Sequence, residues 1–281
     1  MFPQKERSEQ EVLLDTALYD AYFFDLDGTI FIGDRLLPGV GKTFAALRAN
    51  EKKIMFLTNT TVQTRADCQA RLEKLGLCVE REEIMTAAYA AGLYFQQQAD
   101  SARVLVVGER ALAAELASFQ IRQVQAPSQA THVLVGMDRT FTYEKLLLAA
   151  DALRNGAKLI VANPDPVCPV PGGAIPDTGA LAQAIETAGG ATVWAMTGKP
   201  SRFYAEQVFQ QLNVRPEQCL MVGDRLETDI LLGKNSGMKT ALVLTGVTTC
   251  HELERAGIRP DFVLPTLDGS AHDRQEQQQC R

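Results

Sequence analysis

The sequence predicts an α/β fold in which helices cover a mainly parallel sheet. Three observations carry this prediction. Apolar runs typical of buried strands alternate with segments of helical periodicity along nearly the whole chain. Several runs end directly in polar residues, as strands do where they leave the carboxyl edge of a parallel sheet. The 140 residues between Thr58 and Lys199 far exceed one strand–helix crossover, which indicates a second, inserted α/β unit.

The elements follow one another in a regular order. The strand patterns cover 22–24, 53–57, 103–108, 133–136, 158–162, 191–196, 219–223, 240–244 and 261–264. The helical patterns between them lie at about 44–47, 65–75, 82–98, 111–119, 143–154, 180–188, 202–212 and 228–234. Gly76 is placed to end the second helix. The segment 163–179 is rich in Pro and Gly, which predicts a shaped loop or connector.

Composition excludes several classes of partner. The formal charge is −6 and no basic run is present, so we expect no nucleic-acid surface. Met1–Glu11 lacks the apolar centre of a signal peptide, and no run approaches membrane-spanning length. We therefore expect a cytoplasmic protein that does not bind membranes. The six cysteines are scattered without the paired spacing of a zinc site.

Polar residues of a few types follow four of the strand patterns. Asp25 and Asp27 come first and, at period two, start on the same side of the chain. Two close carboxylates repel each other, so the pair calls for a metal ion, a shared proton or solvent exposure. Thr58, Lys199 and Asp224 end the other three patterns. Carboxylates, a hydroxyl and a lysine that converge at one sheet edge suit phosphoryl transfer, which needs charge around a developing trigonal phosphoryl group.

Four stretches in the same order resemble the motifs of the haloacid dehalogenase (HAD) superfamily. They are Asp25-Leu26-Asp27-Gly28-Thr29, Thr58-Asn59, Gly198-Lys199-Pro200 and Gly223-Asp224-Arg225-Leu226-Glu227-Thr228-Asp229-Ile230. The last stretch, with Lys199-Pro200-Ser201, is similar to the NagD-like branch, subclass IIA. The resemblance runs from about Tyr22 to Leu264. It implies a Rossmann-like parallel-sheet core with an inserted α/β cap, and a phosphatase activity.

The resemblance also implies catalytic roles. Asp25 is expected to attack phosphorus and form an aspartyl-phosphate, while Asp27 serves as general acid and then as base. Thr58 is expected to bind a phosphoryl oxygen, with Asn59 and Thr60 beside it. Lys199 would offset the charge of both nucleophile and phosphate.

The same resemblance implies a bound Mg²⁺ as cofactor. Its expected ligands are the carboxylates of Asp25 and Asp224, the backbone carbonyl of Asp27, and water, which are the hard oxygen ligands that this ion prefers. Asp229 is expected to be a supporting carboxylate that faces metal-bound water or Lys199. The cation would also relieve the repulsion within the acidic pair.

The surplus residues predict the domain organisation. We expect a catalytic core formed by 1–87 and 180–281, and a cap formed by 88–179. The cap would exclude water and select the leaving group. Asn163 and Asp165, at the start of the Pro/Gly-rich segment, are the expected substrate contacts in the cap. A homodimer formed through the cap is suggested by the family alone.

The expected substrates are small phosphorylated metabolites such as sugar phosphates or phosphoglycolate, with para-nitrophenylphosphate as an artificial substrate. Pyridoxal phosphate is disfavoured, because enzymes acting on it carry a histidine near the place of Cys168 and an arginine in the turn after Asn59, where Thr60-Thr61-Val62 stands here. A receiver-like signalling domain and a non-catalytic binder of phosphometabolites are the alternatives. Receivers are near half this length, and a non-catalytic relative would lack a motif residue.

Overall fold

Two parallel sheets organise the chain, and the computed structural model describes residues 14–98, 102–170 and 172–268. Met1–Glu11, on which the prediction of no signal peptide rests, and the polar tail 269–281 lie outside the described residues. The strands of the described part are, in chain order, β1 (Ala21–Asp25), β2 (Phe31–Ile32), β3 (Arg35–Leu36), β4 (Lys53–Thr58), β5 (Ile84–Thr86), β6 (Arg103–Val107), β7 (Arg122–Gln123), β8 (His132–Val135), β9 (Lys158–Val161), β10 (Val167–Val170), β11 (Gly173–Pro176), β12 (Val193–Met196), β13 (Cys219–Gly223), β14 (Lys239–Val243) and β15 (Phe262–Leu264).

The helices alternate with these strands, as the sequence predicts. In the described part of the chain they are α1 (Val40–Ala49), α2 (Arg65–Lys74), α3 (Ala87–Gln97), α4 (Arg110–Ser118), α5 (Tyr143–Arg154), α6 (Thr178–Gly189), α7 (Arg202–Leu212), α8 (Leu231–Ser236) and α9 (Cys250–Arg255). Local signals set several of their ends. The Thr64 side chain caps α2 through the backbone N–H of Asp67, and the Ser201 side chain caps α7 through that of Tyr204.

The first sheet has the order β15-β14-β13-β1-β4-β5, and all its pairings are parallel. Strand β1 lies inside the sheet, between β13 and β4. All five of its residues are buried, which agrees with a strand that is covered on both faces. Tyr22 and Phe24 pack in the core on one face, and Phe23 packs in the core on the other. Each buried aromatic side chain contributes about 1.5–3 kcal/mol through burial.

The second sheet has the order β12-β9-β8-β6-β7 and is also parallel. Strand β12 pairs with β9, and Ile185 of α6 packs with Leu153 of α5 in the core of this sheet. The second sheet therefore extends past the predicted cap boundary at 179. The second unit continues through α6 and β12, because β12 pairs with β9 and α6 packs against α5.

The segment that leads into the second unit differs from the predicted helix. Residues 82–98 were expected to be one helix, but Ile84–Thr86 form β5, a buried edge strand beside β4. Helix α3 then starts at a Thr86 cap. It packs Ala90 into the core of the first sheet, and Ala88 and Phe95 into the core of the second. Helix α3 therefore joins the two sheets.

Two antiparallel hairpins complete the described structure. Strands β2 and β3 form one directly after β1, and β10 and β11 form the other from the Pro/Gly-rich segment. Pro169 lies inside β10, where a two-stranded hairpin tolerates the missing N–H donor. None of the helices within the described ranges has the length and apolar character needed to cross a membrane.

Candidate active site

The predicted acidic residues meet at the carboxyl edge of the first sheet. Carboxylate oxygens of Asp25, Asp224 and Asp229 lie within 4.8 Å of one another, and all three residues are buried. Asp25 ends β1, and Asp224 follows the neighbouring strand β13. The parallel pairing of these two strands brings the side chains together across some 200 residues of chain.

Lys199 is the ammonium group inside this cluster. Its Nζ donates to Oδ1 of Asp25 at 2.5 Å, to Oδ1 of Asp229 at 2.7 Å and to the carbonyl of Leu57 at 3.1 Å. Only 2% of Lys199 is exposed. Burial by itself favours the neutral amine, but the charges of Asp229 and Asp25 outweigh it and raise the pKa of Lys199. Lys199 therefore stays charged in the site.

The loop after β14 holds the carboxylate of Asp224. The backbone N–H of Val247 donates to its Oδ2 at 2.6 Å, and the N–H of Thr248 donates to its carbonyl at 3.1 Å. Gly246 lies so close that a Cβ there would come within 1.9 Å of Oδ2. A Cβ on Gly28, whose φ is +86°, would come within 2.5 Å of the same atom. Two glycines therefore make room for this carboxylate.

A π-helical turn over Leu226–Ile230 presents Asp229 to the site. The backbone N–H of Arg225 donates to Oδ2 of Asp229 at 3.1 Å, while Oδ1 accepts from Lys199. Lys199 is one of the two partners predicted for Asp229, and the structure shows this contact. This carboxylate orients the lysine.

The charges of the cluster do not balance. Three buried carboxylates surround one ammonium, and burial followed by repulsion from Asp229 raises the pKa of Asp224 to about 7. Burial also raises the pKa of Asp25, against the lowering effect of Lys199. A divalent cation would remove this penalty, and clustered carboxylate oxygens are the donor set that Mg²⁺ prefers. The residues present therefore fit a bound Mg²⁺.

Asp27 takes a different direction from Asp25. Its side chain is 67% exposed and lies 3.8 Å from Nη1 of Arg71 in α2. Protein on several sides still desolvates the carboxyl and raises its pKa, while Arg71 lowers it. Arg71 also stacks on the ring of Phe31 and donates to the carbonyl of Gly33. Asp27 thus faces solvent at the mouth of the site, where a leaving group or water can reach it.

Thr58 ends β4 beside β1 and is buried. Its Oγ1 accepts from the backbone N–H of Thr60 at 3.1 Å, which orders the turn that follows the strand. The hydroxyl of the fully buried Tyr204 donates to the carbonyl of Met85 and lies 3.4 Å from the carbonyl of Thr58. The turn that carries Thr58 is therefore held from both sides.

Asn59, Asn163 and Asp165 are buried or half-buried between the two sheets. Asn59 donates through Nδ2 to the Lys199 carbonyl at 3.1 Å and to Oδ2 of Asp165 at 2.9 Å, and its Oδ1 accepts from the Lys199 N–H at 2.8 Å. Asn163 is 1% exposed and donates to the Asn59 carbonyl at 2.8 Å. The side chains of Asn163 and Asp165, for which substrate contact was expected, are bonded to protein groups in this structure.

Other contact residues were not predicted. Oγ1 of the buried Thr61 accepts from the N–H of Met137 in the second unit at 2.9 Å. Nη1 of Arg225 lies 2.5 Å from Oδ1 of Asp165. Arg225 directly follows Asp224, so its position was a usable signal. Thr61 and Tyr204 carry no such signal, because their partners are far away in the chain.

Comparison with known proteins identifies the family. Models described as haloacid dehalogenase-like hydrolase and HAD-hydrolase-like match residues 22–122 and 196–270. The human glycerol-3-phosphate phosphatase is 36% identical over 294 residues, which cover 89% of this chain and 91% of that protein. The chain belongs to the haloacid dehalogenase superfamily.

Solved structures place it within that superfamily. A 4-nitrophenylphosphatase from Thermotoga maritima superposes with a TM-score of 0.86 at 32% identity, over 90% of this chain and 97% of that one. NagD from E. coli K-12 superposes with a TM-score of 0.82 at 28% identity, over 89% of this chain and 97% of that one. The predicted resemblance is confirmed. This HAD protein is a NagD-like phosphatase, a phosphoric monoester hydrolase.

Proposed function

We propose that this HAD phosphatase hydrolyses small phosphorylated metabolites in a Mg²⁺-dependent reaction that passes through an aspartyl-phosphate on Asp25. One observation carries the proposal. The Asp25 carboxylate lies 2.5 Å from the Lys199 ammonium and within 4.8 Å of the Asp224 carboxylate, while Asp27, two residues on, faces solvent. A nucleophile and a proton donor at one strand end are the two groups that phosphoryl transfer through a covalent intermediate needs.

In the first step, a carboxylate oxygen of Asp25 forms a bond to phosphorus. The bond between phosphorus and the ester oxygen breaks, and its electron pair leaves with that oxygen, which takes a proton from Asp27. In the second step, Asp27 accepts a proton from water, whose oxygen attacks phosphorus and releases Asp25 and inorganic phosphate. Lys199 stays charged throughout and offsets the negative charge of nucleophile and phosphate.

The carboxylates of Asp25 and Asp224 and the backbone carbonyl of Asp27 would hold Mg²⁺, with Asp229 behind them bonded to Lys199. When bound, the ion supplies positive charge to the phosphoryl oxygens and keeps the carboxylates ionised. Thr58 is proposed to donate its hydroxyl to a phosphoryl oxygen, with the backbone of Asn59 and Thr60 beside it.

The names of the relatives support the proposed substrate class. The human relative is named for glycerol-3-phosphate and the Thermotoga protein for 4-nitrophenylphosphate, which supports sugar phosphates, phosphoglycolate or similar small monoesters as substrates. We place leaving-group selection in the second unit, which now runs through β12. The family membership weighs against receiver-like signalling, and convergence of the motif residues weighs against a non-catalytic binder. The cytoplasmic location and the homodimer stay predictions.

The direct test is hydrolysis of para-nitrophenylphosphate by the wild type and by Asp25→Asn, with and without Mg²⁺. We expect Mg²⁺-dependent hydrolysis that falls at least 10³-fold in the variant, because its amide cannot serve as the nucleophile. A mass increase matching one phosphoryl group on Asp25 in quenched wild-type enzyme would identify the intermediate. Turnover like that of the wild type in Asp25→Asn would overturn the mechanism. A panel of phosphorylated metabolites would then rank the substrates.

A further inference from the structure

Asp165 connects two loops of the active site that are far apart in sequence. Its Oδ2 accepts from Nδ2 of Asn59 at 2.9 Å, and its Oδ1 lies 2.5 Å from Nη1 of Arg225. Asn59 follows the proposed phosphate-binding Thr58, and Arg225 follows the proposed metal ligand Asp224. One carboxylate therefore contacts both loops.

Asn59 and Arg225, the two partners of Asp165, are each bonded in turn to a residue of the proposed mechanism. Asn59 bonds to the backbone of Lys199 through both of its amide atoms. The backbone N–H of Arg225 bonds to Asp229, which orients the Lys199 ammonium. A shift of Asp165 would therefore move the phosphate loop, the lysine and the metal loop together.

Asp165 is itself rigidly placed. Its backbone N–H donates to Oδ1 of the buried Asn163 at 3.0 Å, and its carbonyl accepts from the N–H of Gly179 at 2.8 Å. Its side chain is 10% exposed and that of Arg225 is 19% exposed. Each of its two carboxylate oxygens already accepts from a protein donor, which holds the side chain against both loops.

We propose that Asp165 is a positioning residue for phosphoryl transfer, which aligns the loops after β4 and β13 and does not select the leaving group. The inference rests on the proposed function, because the groups it aligns are those of that mechanism. It also changes the prediction made for Asp165 from the sequence, where substrate contact was expected. Reacting groups held in register lower the barrier for every substrate that shares the phosphoryl group.

A positioning role for Asp165 and a contact of Asp165 with the leaving group predict different kinetic results. In Asp165→Asn the side chain turns an NH₂ group towards Arg225 or Asn59, so one of these donors loses its acceptor. If Asp165 positions the loops, kcat falls by a similar factor, about 10–100-fold, for para-nitrophenylphosphate and for alkyl phosphates with different alcohols. If it contacts the leaving group, the order of preference among those substrates changes instead, and the proposal is overturned.

Arg225 supplies the second variant. Arg225→Gln should reproduce the loss of kcat, and Arg225→Lys, which keeps the charge, should recover part of it. Because the Arg225 side chain is argued to act through its contact with Asp165, which either variant disrupts, the double variant Asp165→Asn/Arg225→Gln should lose about as much as the worse single variant. Losses that multiply would contradict the proposal. The matched control is Asp151→Asn, which removes an exposed ion pair with Arg154 on α5 and should leave kcat unchanged.

Binding of inorganic phosphate separates this inference from the proposed function. We expect phosphate, with Mg²⁺ present, to raise the melting temperature of the wild type clearly and that of Asp165→Asn much less. An equal rise in both proteins would overturn the positioning role. A wild type that binds phosphate but hydrolyses no monoester would refute the proposed reaction and leave this test intact.

Discussion

The Asp224 carboxylate fits into the site because two of its neighbours are glycines, which have no side chain. The carboxylate accepts from the N–H of Val247 and lies where a Cβ on Gly246 or Gly28 would collide with it. The sequence motif identifies Asp224 itself, but the need for glycine at 246 follows from contact between two loops. Lys199 is similar: the motif identifies it, and the fold supplies its three acceptors.

Gly246→Ala should therefore weaken the proposed Mg²⁺ site. The added Cβ would come within 1.9 Å of Asp224 Oδ2, so the carboxylate or the loop must shift, which disturbs the placement of Asp224 beside Asp25 and Asp229. We expect the Mg²⁺ concentration for half-maximal hydrolysis to rise at least tenfold, and calorimetric Mg²⁺ affinity to fall in parallel. Gly257→Ala is the control, because a Cβ there would meet no atom within 4 Å. Equal Mg²⁺ affinity in both variants would contradict this account of Gly246.

Helix α6 and strand β12 show where local patterns stop being informative. Both were predicted as elements with nearly correct bounds, yet both lie with the second sheet, beyond the predicted cap boundary at 179. Helical periodicity identifies an apolar face but not the sheet against which it packs. The assignment depends on the pairing of β12 with β9 and on the contact of α6 with α5.

Paired core substitutions would test this assignment. Ile185→Ala in α6 and Val208→Ala in α7 each truncate a fully buried side chain, and each should cost about 1–4 kcal/mol of stability. In hydrogen exchange, Ile185→Ala should speed exchange of the amides of β8 and β9. Val208→Ala should speed exchange in β1 and β13 instead, because Val208 packs on the other sheet. Faster exchange in β1 from Ile185→Ala would return α6 to the catalytic core.

Across the whole molecule, burial separates side chains that are shielded from solvent reagents from those that solvent can reach. Cys68 and Cys219 are buried, and burial raises the pKa of each thiol to about 12. Cys78 is exposed. The active site combines both conditions, with Lys199 and three carboxylates buried while Asp27 remains open to solvent at the mouth.

Thiol labelling would report on this difference. At pH 8 we expect iodoacetamide to modify Cys78 in the folded protein, while Cys68 and Cys219 stay unmodified because they are shielded and protonated. After unfolding in guanidinium chloride all three should react, since Cys68 and Cys219 then lose their shielding and the pKa values of these two thiols return to near the ordinary value. Peptide mass spectrometry would locate the modified residues. Rapid labelling of Cys219 in the folded protein would show that the core of the first sheet opens.

Local patterns in the chain were enough to predict the α/β class, most element bounds, the family and the residues that converge at the sheet edge. Strand ends and motifs are patterns of neighbouring residues, so they can be recognised in the sequence, and the parallel pairing of the strands brings these ends together. The outward direction of Asp27, the bonds of Asn59 and Asn163, the Asp165 contact with Arg225 and the membership of β12 came from the folded chain. Each depends on a partner distant in sequence, for which no local pattern exists.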